Sequence, residues 1–370
     1  MDWRGIVILP TTLFPRSTDL SRTLPSIRES LDEAIQWLCR AQDATPDGGV
    51  SEGYHLFHGW LPSYPETTGY IIETFLAYHR LTGDDQYRER ALKMAEWLLA
   101  IQCENGAIKD SRFRDEMVFD TGQVLFGYLQ AYAATEDDRF LSAAARAGNW
   151  LVDVQSEDGA WRSHAYLGIP HTYYSRVAWS LLELAEVTSS ERFLEAGTKN
   201  IEWTIGQQRR NGWFDQACFT PKKGHAPITH TIAYTTRGVL EAGLLLEKED
   251  YVQAAKATMD ALADRIPPDG WLSGRYDAEW NGTVRYCCVT GTAQLAIILQ
   301  RLYQRIPDTR YTKGAQKLTA YLQRIQAAPS RDDRIRGAAP GSDPIWGDYI
   351  HFCYINWATK FLADALMLAL

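Results

Sequence analysis

Two kinds of helical pattern alternate along the chain. In RERALKMAEWLLAIQ (88–102) apolar residues return every three or four positions and leave a charged face, which predicts a helix with one wet side. GQVLFGYLQAYAA (122–134) and GTAQLAIILQRLY (291–303) are apolar nearly all round, which predicts buried helices. The amphipathic pattern falls near 24–42, 85–102, 138–155, 191–208, 250–265 and 309–326. The apolar pattern falls at 69–81, 122–134, 176–187, 237–247, 291–303 and 356–370.

The alternation is an internal repeat with a period of roughly fifty to sixty residues. RAGNWLVDVQSEDGAW (146–161) sets Trp150 five before Gln155, then Gly159 and Trp161. Trp97, Gln102 and Gly106 repeat that spacing, as do Trp203, Gln208 and Gly212. Trp37 with Gln42 and Tyr321 with Gln326 are partial copies, and 258–271 keeps Gly270-Trp271 but has Leu262 and Pro267 for the Trp and Gln. TGDDQY, TEDDRF, SSERF, EKEDY and PDTRY stand before the amphipathic helices, with side chains suited to a free helix N-terminus and its dipole.

Six buried helices cannot stand in an open stack with two apolar ends. The final helix, FLADALMLAL, is among the most apolar, where a solenoid would need a polar cap. The pattern therefore predicts an all-α fold, an (α/α)6 toroid of six helical hairpins with inner and outer rings. One such domain accounts for residues 23–370, with an N-terminal arm over 1–22 lying on it.

Composition narrows the function classes. The chain has 370 residues, 45% of them hydrophobic, and a formal charge of −8, which disfavours nucleic acid and anionic membranes as partners. No apolar run is long enough for membrane insertion, and GIVILPTTLF (5–14) is a poor signal peptide, so a cytoplasmic protein is expected. Six cysteines follow no disulfide spacing. Cys287-Cys288 raises a zinc question, but no CxxC or HxxxH spacing accompanies it, so no metal and no cofactor are expected.

Loops leading into the inner helices gather at one mouth, and the loops on the other side are short. The entries SYPETTGY (63–70), VFDTGQ (118–123), GIPHTYYSR (168–176), APITHTIAYTTR (226–237), GTVRYCCVTGTAQ (282–294) and IWGDYIHFCYINW (345–357) hold the candidate chemistry. For catalysis the candidates are Asp120, Glu66, Asp348, His171, His230 and Tyr234. For substrate binding they are Arg176, Arg237, Arg285, Tyr173, Tyr174, Tyr286, Tyr349, His351, Trp60, Trp280 and Trp346. Aromatic faces and fork-shaped donors suit a sugar chain, and arginines suit a carboxylate on it. Plainer roles compete: Asp120 as a helix cap, and Trp161, Trp213 and Trp271 as packing at a repeat position.

Residues 146–161 resemble the repeat of squalene–hopene and oxidosqualene cyclases, through Arg146, Ala147, Trp150, Leu151, Gln155, Gly159 and Trp161. Their Asp-x-Asp-Asp acid is missing, so the likeness implies a helical barrel and not cyclase chemistry. GDYIHFCY is faintly similar to the zinc-histidine segment of prenyltransferase β subunits, without the Asp-x-Cys pair. As a whole architecture the chain resembles the six-hairpin glycosidase-like superfamily, which includes unsaturated glucuronyl hydrolases, N-acylglucosamine epimerases and polysaccharide lyases. VFDTGQVLFGYLQAY (118–132) is similar to the catalytic-aspartate helix of the glucuronyl hydrolases, and this implies an acid/base role for Asp120.

The resulting expectation is an enzyme that cleaves an oligo- or polysaccharide containing a uronic acid, by hydrolysis with two carboxyl groups. Elimination or epimerisation with a His or Tyr base and an arginine clamp is the alternative. An isoprenoid cyclase and a non-catalytic glycan-binding protein are the other classes.

Overall fold

The structure, a computed structural model, describes residues 23–220 and 226–370. The arm expected over 1–22 lies outside the described residues. Six amphipathic helices form an outer ring: α1 (Ile27–Asp43), α3 (Asp85–Ile101), α5 (Asp138–Asp153), α7 (Glu191–Gly206), α9 (Glu249–Ala263) and α11 (Thr309–Ile325). Six more form the inner ring: α2 (Pro65–Thr82), α4 (Val118–Thr135), α6 (Ser175–Thr188), α8 (Thr229–Leu245), α10 (Val289–Arg305) and α12 (Asn356–Met367). Each inner helix packs on the outer helix that follows it, and α12 packs on α1. Because α12 also packs on α2, the inner ring closes and the expected (α/α)6 toroid is formed.

The repeat has a physical cause. At the end of an outer helix the glutamine amide donates twice, to the carbonyl of its own glycine loop and to a carbonyl of the next outer helix. Gln102 reaches Gly106 and Ala143, both at 3.0 Å, and Gln155 reaches Gly159 and Ala196, both at 3.0 Å. Gln326 reaches Gly337 and Ser30, both at 2.9 Å, which carries the stitch from the last outer helix to the first. Glycine is required because its backbone has positive φ and lies against the neighbouring helix: a Cβ at Gly106 would strike the carbonyl of Arg146. Where Pro267 replaces the glutamine, the Arg324 guanidinium of α11 binds the loop carbonyl of Asp269 instead. The acidic starts are caps at Asp84, Asp137 and Asp308, each accepting a main-chain N–H of the first turn. Lys248 and Ser190 make no such bond.

The expected inner-helix starts at 69 and 122 move four residues earlier, to Pro65 and Val118, and the largest shift is at α8. Inner helix α8 begins at Thr229, not near Arg237. The run THTIAYTT is rich in β-branched residues, weak helix formers alone, and tertiary packing overrides that preference. Among the described residues, no helix is long and apolar enough to cross a membrane. Small ladders finish the mouth: β1 (Gly53–His55) lies between β2 (Gly59–Trp60) and β5 (Cys353–Ile355), and β3 (Cys287–Cys288) pairs with β4 (Ser342–Asp343). Strands β3 and β5 run directly into α10 and α12, fixing where those helices start.

Candidate active site

A cavity of about 760 Å³ opens at the mouth where the inner helices begin. Its walls are largely aromatic, from Tyr64, Tyr70, Phe119, Tyr166, Tyr173, Tyr174, Phe219, Tyr234, Tyr349 and Trp357. Glu52, Glu66, Asp110, Asp115, Glu116 and Asp120 add carboxyls, and the described lining contains no arginine or lysine.

Glu66 stands on the first turn of α2 and Asp120 on the first turn of α4, neighbouring inner helices. Asp120 does not cap its helix, because the cap position is Met117 and carries no side-chain bond. Asp120 is 5% exposed, and its Oδ1 has no hydrogen-bond partner among the described residues. Burial, then the nearby charge of Glu66, pushes its carboxyl well above the usual aspartate range. Glu66 is half-buried, open to the cavity on one side. Burial raises its carboxyl to about 7, against the pull of the Tyr64 hydroxyl and the Arg176 guanidinium. Tyr64 Oη donates to Glu66 Oε2 at 2.6 Å. Each carboxylate disfavours the charge of the other, so burial and the neighbouring charge both favour keeping a proton on the pair.

His230 shares the floor. The Gln294 amide lies 2.6 Å from its Nδ1, and its ring packs on Tyr234 and Tyr349 with centroids 4.2 and 5.6 Å away. Burial, with Arg176 nearby, lowers its pKa to about 3, so the ring is neutral. The Tyr70 and Tyr234 hydroxyls are buried beside each other with no hydrogen-bond partner among the described residues. Trp357 Nε1 donates to Tyr349 Oη at 2.8 Å.

Asp120, Glu66, His230, Tyr234, Tyr173, Tyr174 and Tyr349 thus meet in one cavity. The other candidates do not line it. Arg176 is fully buried below the floor, donates from Nε to Gln123 at 2.6 Å, and sits among Tyr70, Phe126, Trp179, Tyr234 and Phe361. Arg237 lies two turns into α8, because that helix starts early, and faces the opposite end of the toroid. Arg285 is exposed outside the cavity. The expected arginine clamp is therefore not assembled. His171 is buried outside the cavity lining, its two ring nitrogens 3.0 and 2.9 Å from the carbonyls of Cys218 and Tyr166. Asp348 is 79% exposed and pairs with Arg275, to which Tyr286 is also bonded. His351 and Trp346 are exposed away from the lining. Trp60 packs on Trp37 and Tyr54, and Trp280 is buried against Trp213 with Nε1 bonded to Asn211. These two tryptophans lie outside the repeat because they fill local gaps.

Glu52, Tyr64, Tyr70, Phe119, Tyr166 and Trp357 were missing from the sequence-based set. Tyr64 stands beside Pro65-Glu66 in an entry already singled out, and adjacency to a candidate acid was the usable signal. Cys287 and Cys288 are buried, with Cys287 Sγ 3.1 Å from Thr292 Oγ1 and its thiol pushed up to about 12 by burial. Among the described residues, no group of three or more His, Cys, Asp or Glu side chains is arranged to hold a metal ion.

An aromatic cavity with a proton-sharing carboxyl pair, set at one mouth of an (α/α)6 toroid, defines the class: a glycoside hydrolase. The family model described as the β-L-arabinofuranosidase GH127 catalytic domain matches residues 20–206, and the chain belongs to that family. The non-reducing end β-L-arabinofuranosidase of Bifidobacterium longum subsp. longum is 26% identical over 146 residues, 36% of this chain. That match spans only 20% of the relative's length. Among solved structures, an unsaturated glucuronyl hydrolase specific for heparin has a TM-score of 0.74 at 17% identity, covering 92% of this chain and 96% of that one. The unsaturated glucuronyl hydrolase of Bacillus sp. GL1 has a TM-score of 0.73 at 17% identity, with the same coverage. At such identities the likeness is one of fold.

Proposed function

We propose that the protein removes a terminal neutral sugar, of the arabinofuranoside kind, from an oligo- or polysaccharide by hydrolysis. Asp120 donates its proton to the leaving oxygen as the bond from that oxygen to the anomeric carbon breaks. Glu66 supplies the negative charge that the oxocarbenium-like transition state needs. Water supplies the oxygen that ends on the anomeric carbon, and the proton it loses returns to the pair. Roles divide because the Tyr64 hydroxyl favours the ionised form of Glu66, whereas Asp120 has an oxygen with no donor. The observation that carries the reading is this buried pair in a cavity whose described lining has carboxyls but no cation.

That lining also turns the substrate away from the uronate expected from the sequence. A sugar carboxylate would meet negative charge without an arginine to hold it, and a lyase or epimerase would lack its clamp. Neutral hydroxyls are served by the carboxyls, the tyrosines and neutral His230. The family's description and the curated relative's name agree with a neutral furanoside.

The test is turnover on paired substrates with one shared leaving group: β-L-arabinofuranoside, other neutral glycosides, a saturated glucuronide and an unsaturated uronide. The neutral furanoside is expected to be hydrolysed at least tenfold faster, in kcat/KM, than either uronide. Faster cleavage of a uronide, or no cleavage of any neutral glycoside, would overturn the reading.

A further inference from the structure

The cavity is closed at its inner end, where Arg176 sits within Tyr70, Tyr234 and Phe361. Resting on the proposed hydrolysis, a terminal sugar at Asp120 and Glu66 can send its leaving group only toward the mouth. One wall of that mouth carries Tyr166, Leu167 and Phe219. Tyr166 is 43% exposed and Leu167 57%, large apolar surfaces left facing water.

This wall is held rigidly. Leu167 has φ 58°, a left-handed conformation that is strained for a residue with a side chain. The Tyr166 N–H donates to Tyr174 Oη at 2.8 Å, and its carbonyl lies 2.9 Å from His171 Nε2. The other ring nitrogen of His171 lies 3.0 Å from the Cys218 carbonyl, beside Phe219; burial keeps the ring neutral, so its single N–H donates to one of the two carbonyls. The Tyr166 and Phe219 rings meet edge to face at 5.9 Å, and Phe219 packs in turn on Tyr173 at 5.5 Å. Strain kept in place by contacts from the 171–174 segment and by the Phe219 ring marks a surface whose shape matters.

We propose that Tyr166, backed by Leu167 and Phe219, is a subsite for the sugar ring on the leaving-group side of the scissile bond. The apolar C–H face of a sugar stacks on an aromatic ring, and a preformed ring gives that contact with little further ordering.

The experiment measures dissociation constants in the Asp120→Asn background, where ligand is not consumed. The ligands are an arabinofuranosyl disaccharide and the methyl arabinofuranoside, which has no second ring. Adding Tyr166→Ala is expected to weaken disaccharide binding about tenfold and leave the methyl glycoside within about twofold, whereas Tyr166→Phe retains disaccharide affinity. Equal weakening of both ligands, no weakening, no disaccharide binding at all, or equal affinity for the two before the rim is changed would each overturn the subsite. Turnover of the unsubstituted protein separates the two ideas. Tyr166-dependent binding without turnover would sink the hydrolysis and leave Tyr166 as the wall of a glycan-binding site.

Discussion

Glu66 and Glu73 lie two turns apart on the same helix, at opposite ends of the toroid. Burial pushes both upward. At Glu73 the charges of Lys360, Arg237 and Arg176 outweigh it and hold the carboxyl below its usual value. At Glu66 the opposing pulls are weaker, and the carboxyl rises to about 7. The far end is a network of pairs. Lys360, with no exposed surface, binds Asp364 at 2.5 Å and lies 3.6 Å from Glu73, while Arg301 grips both oxygens of Glu241. Glu183 is the exception there, raised to about 8 by burial and by Glu73 and Glu241. Partly buried carboxyls given cations serve stability. Those left without them, around the open cavity, are poised to move a proton.

The comparison breaks most visibly if the two ends are damaged separately. Asp120→Asn should lower kcat by about 10²–10⁴-fold, in the range of a lost general acid, with the helical circular dichroism spectrum unchanged. Retained turnover would remove Asp120 from the chemistry and favour a glycan-binding role. Lys360→Met should do the reverse. It leaves Glu73 and Asp364, both partly exposed, without their cation, and should cost roughly 1–3 kcal/mol of unfolding free energy by denaturant titration. In protein still folded, kcat should change by less than about threefold. A loss of activity without loss of stability would mean that the two ends are not independent.

Much of this division was legible in the sequence. The 3.6-residue period, the glutamine–glycine spacing and the acidic caps are local signals, and they located both rings and the mouth where the cavity opens. Asp120 and Glu66 could be placed in its lining because each sits at an inner-helix start. What escaped depended on depth. Arg176 and Arg237 occupy similar places in the sequence pattern, yet Arg176 lies beneath the cavity floor and Arg237 faces the far end, since the β-branched run 229–236 is already helix. Trp60 and Trp280 looked free for sugar because the repeat did not use them, but each fills a packing gap made by residues distant in sequence. No spacing rule reports such contacts.

The central claim is that Glu66 works as an anion in a place that resists its charge, with Tyr64 holding it there. Protonation of Glu66 removes the charge the reaction needs, so kcat/KM should fall as pH drops below about 7. Tyr64→Phe takes away the bond that favours the ionised form and should move this acidic limb to higher pH. The pH profile of kcat/KM on the preferred neutral glycoside, for the unsubstituted protein and Tyr64→Phe side by side, is the most direct measurement. A limb near 7 that moves upward in the variant is the predicted result. A limb near the ordinary glutamate value, unmoved by the substitution, would contradict the account.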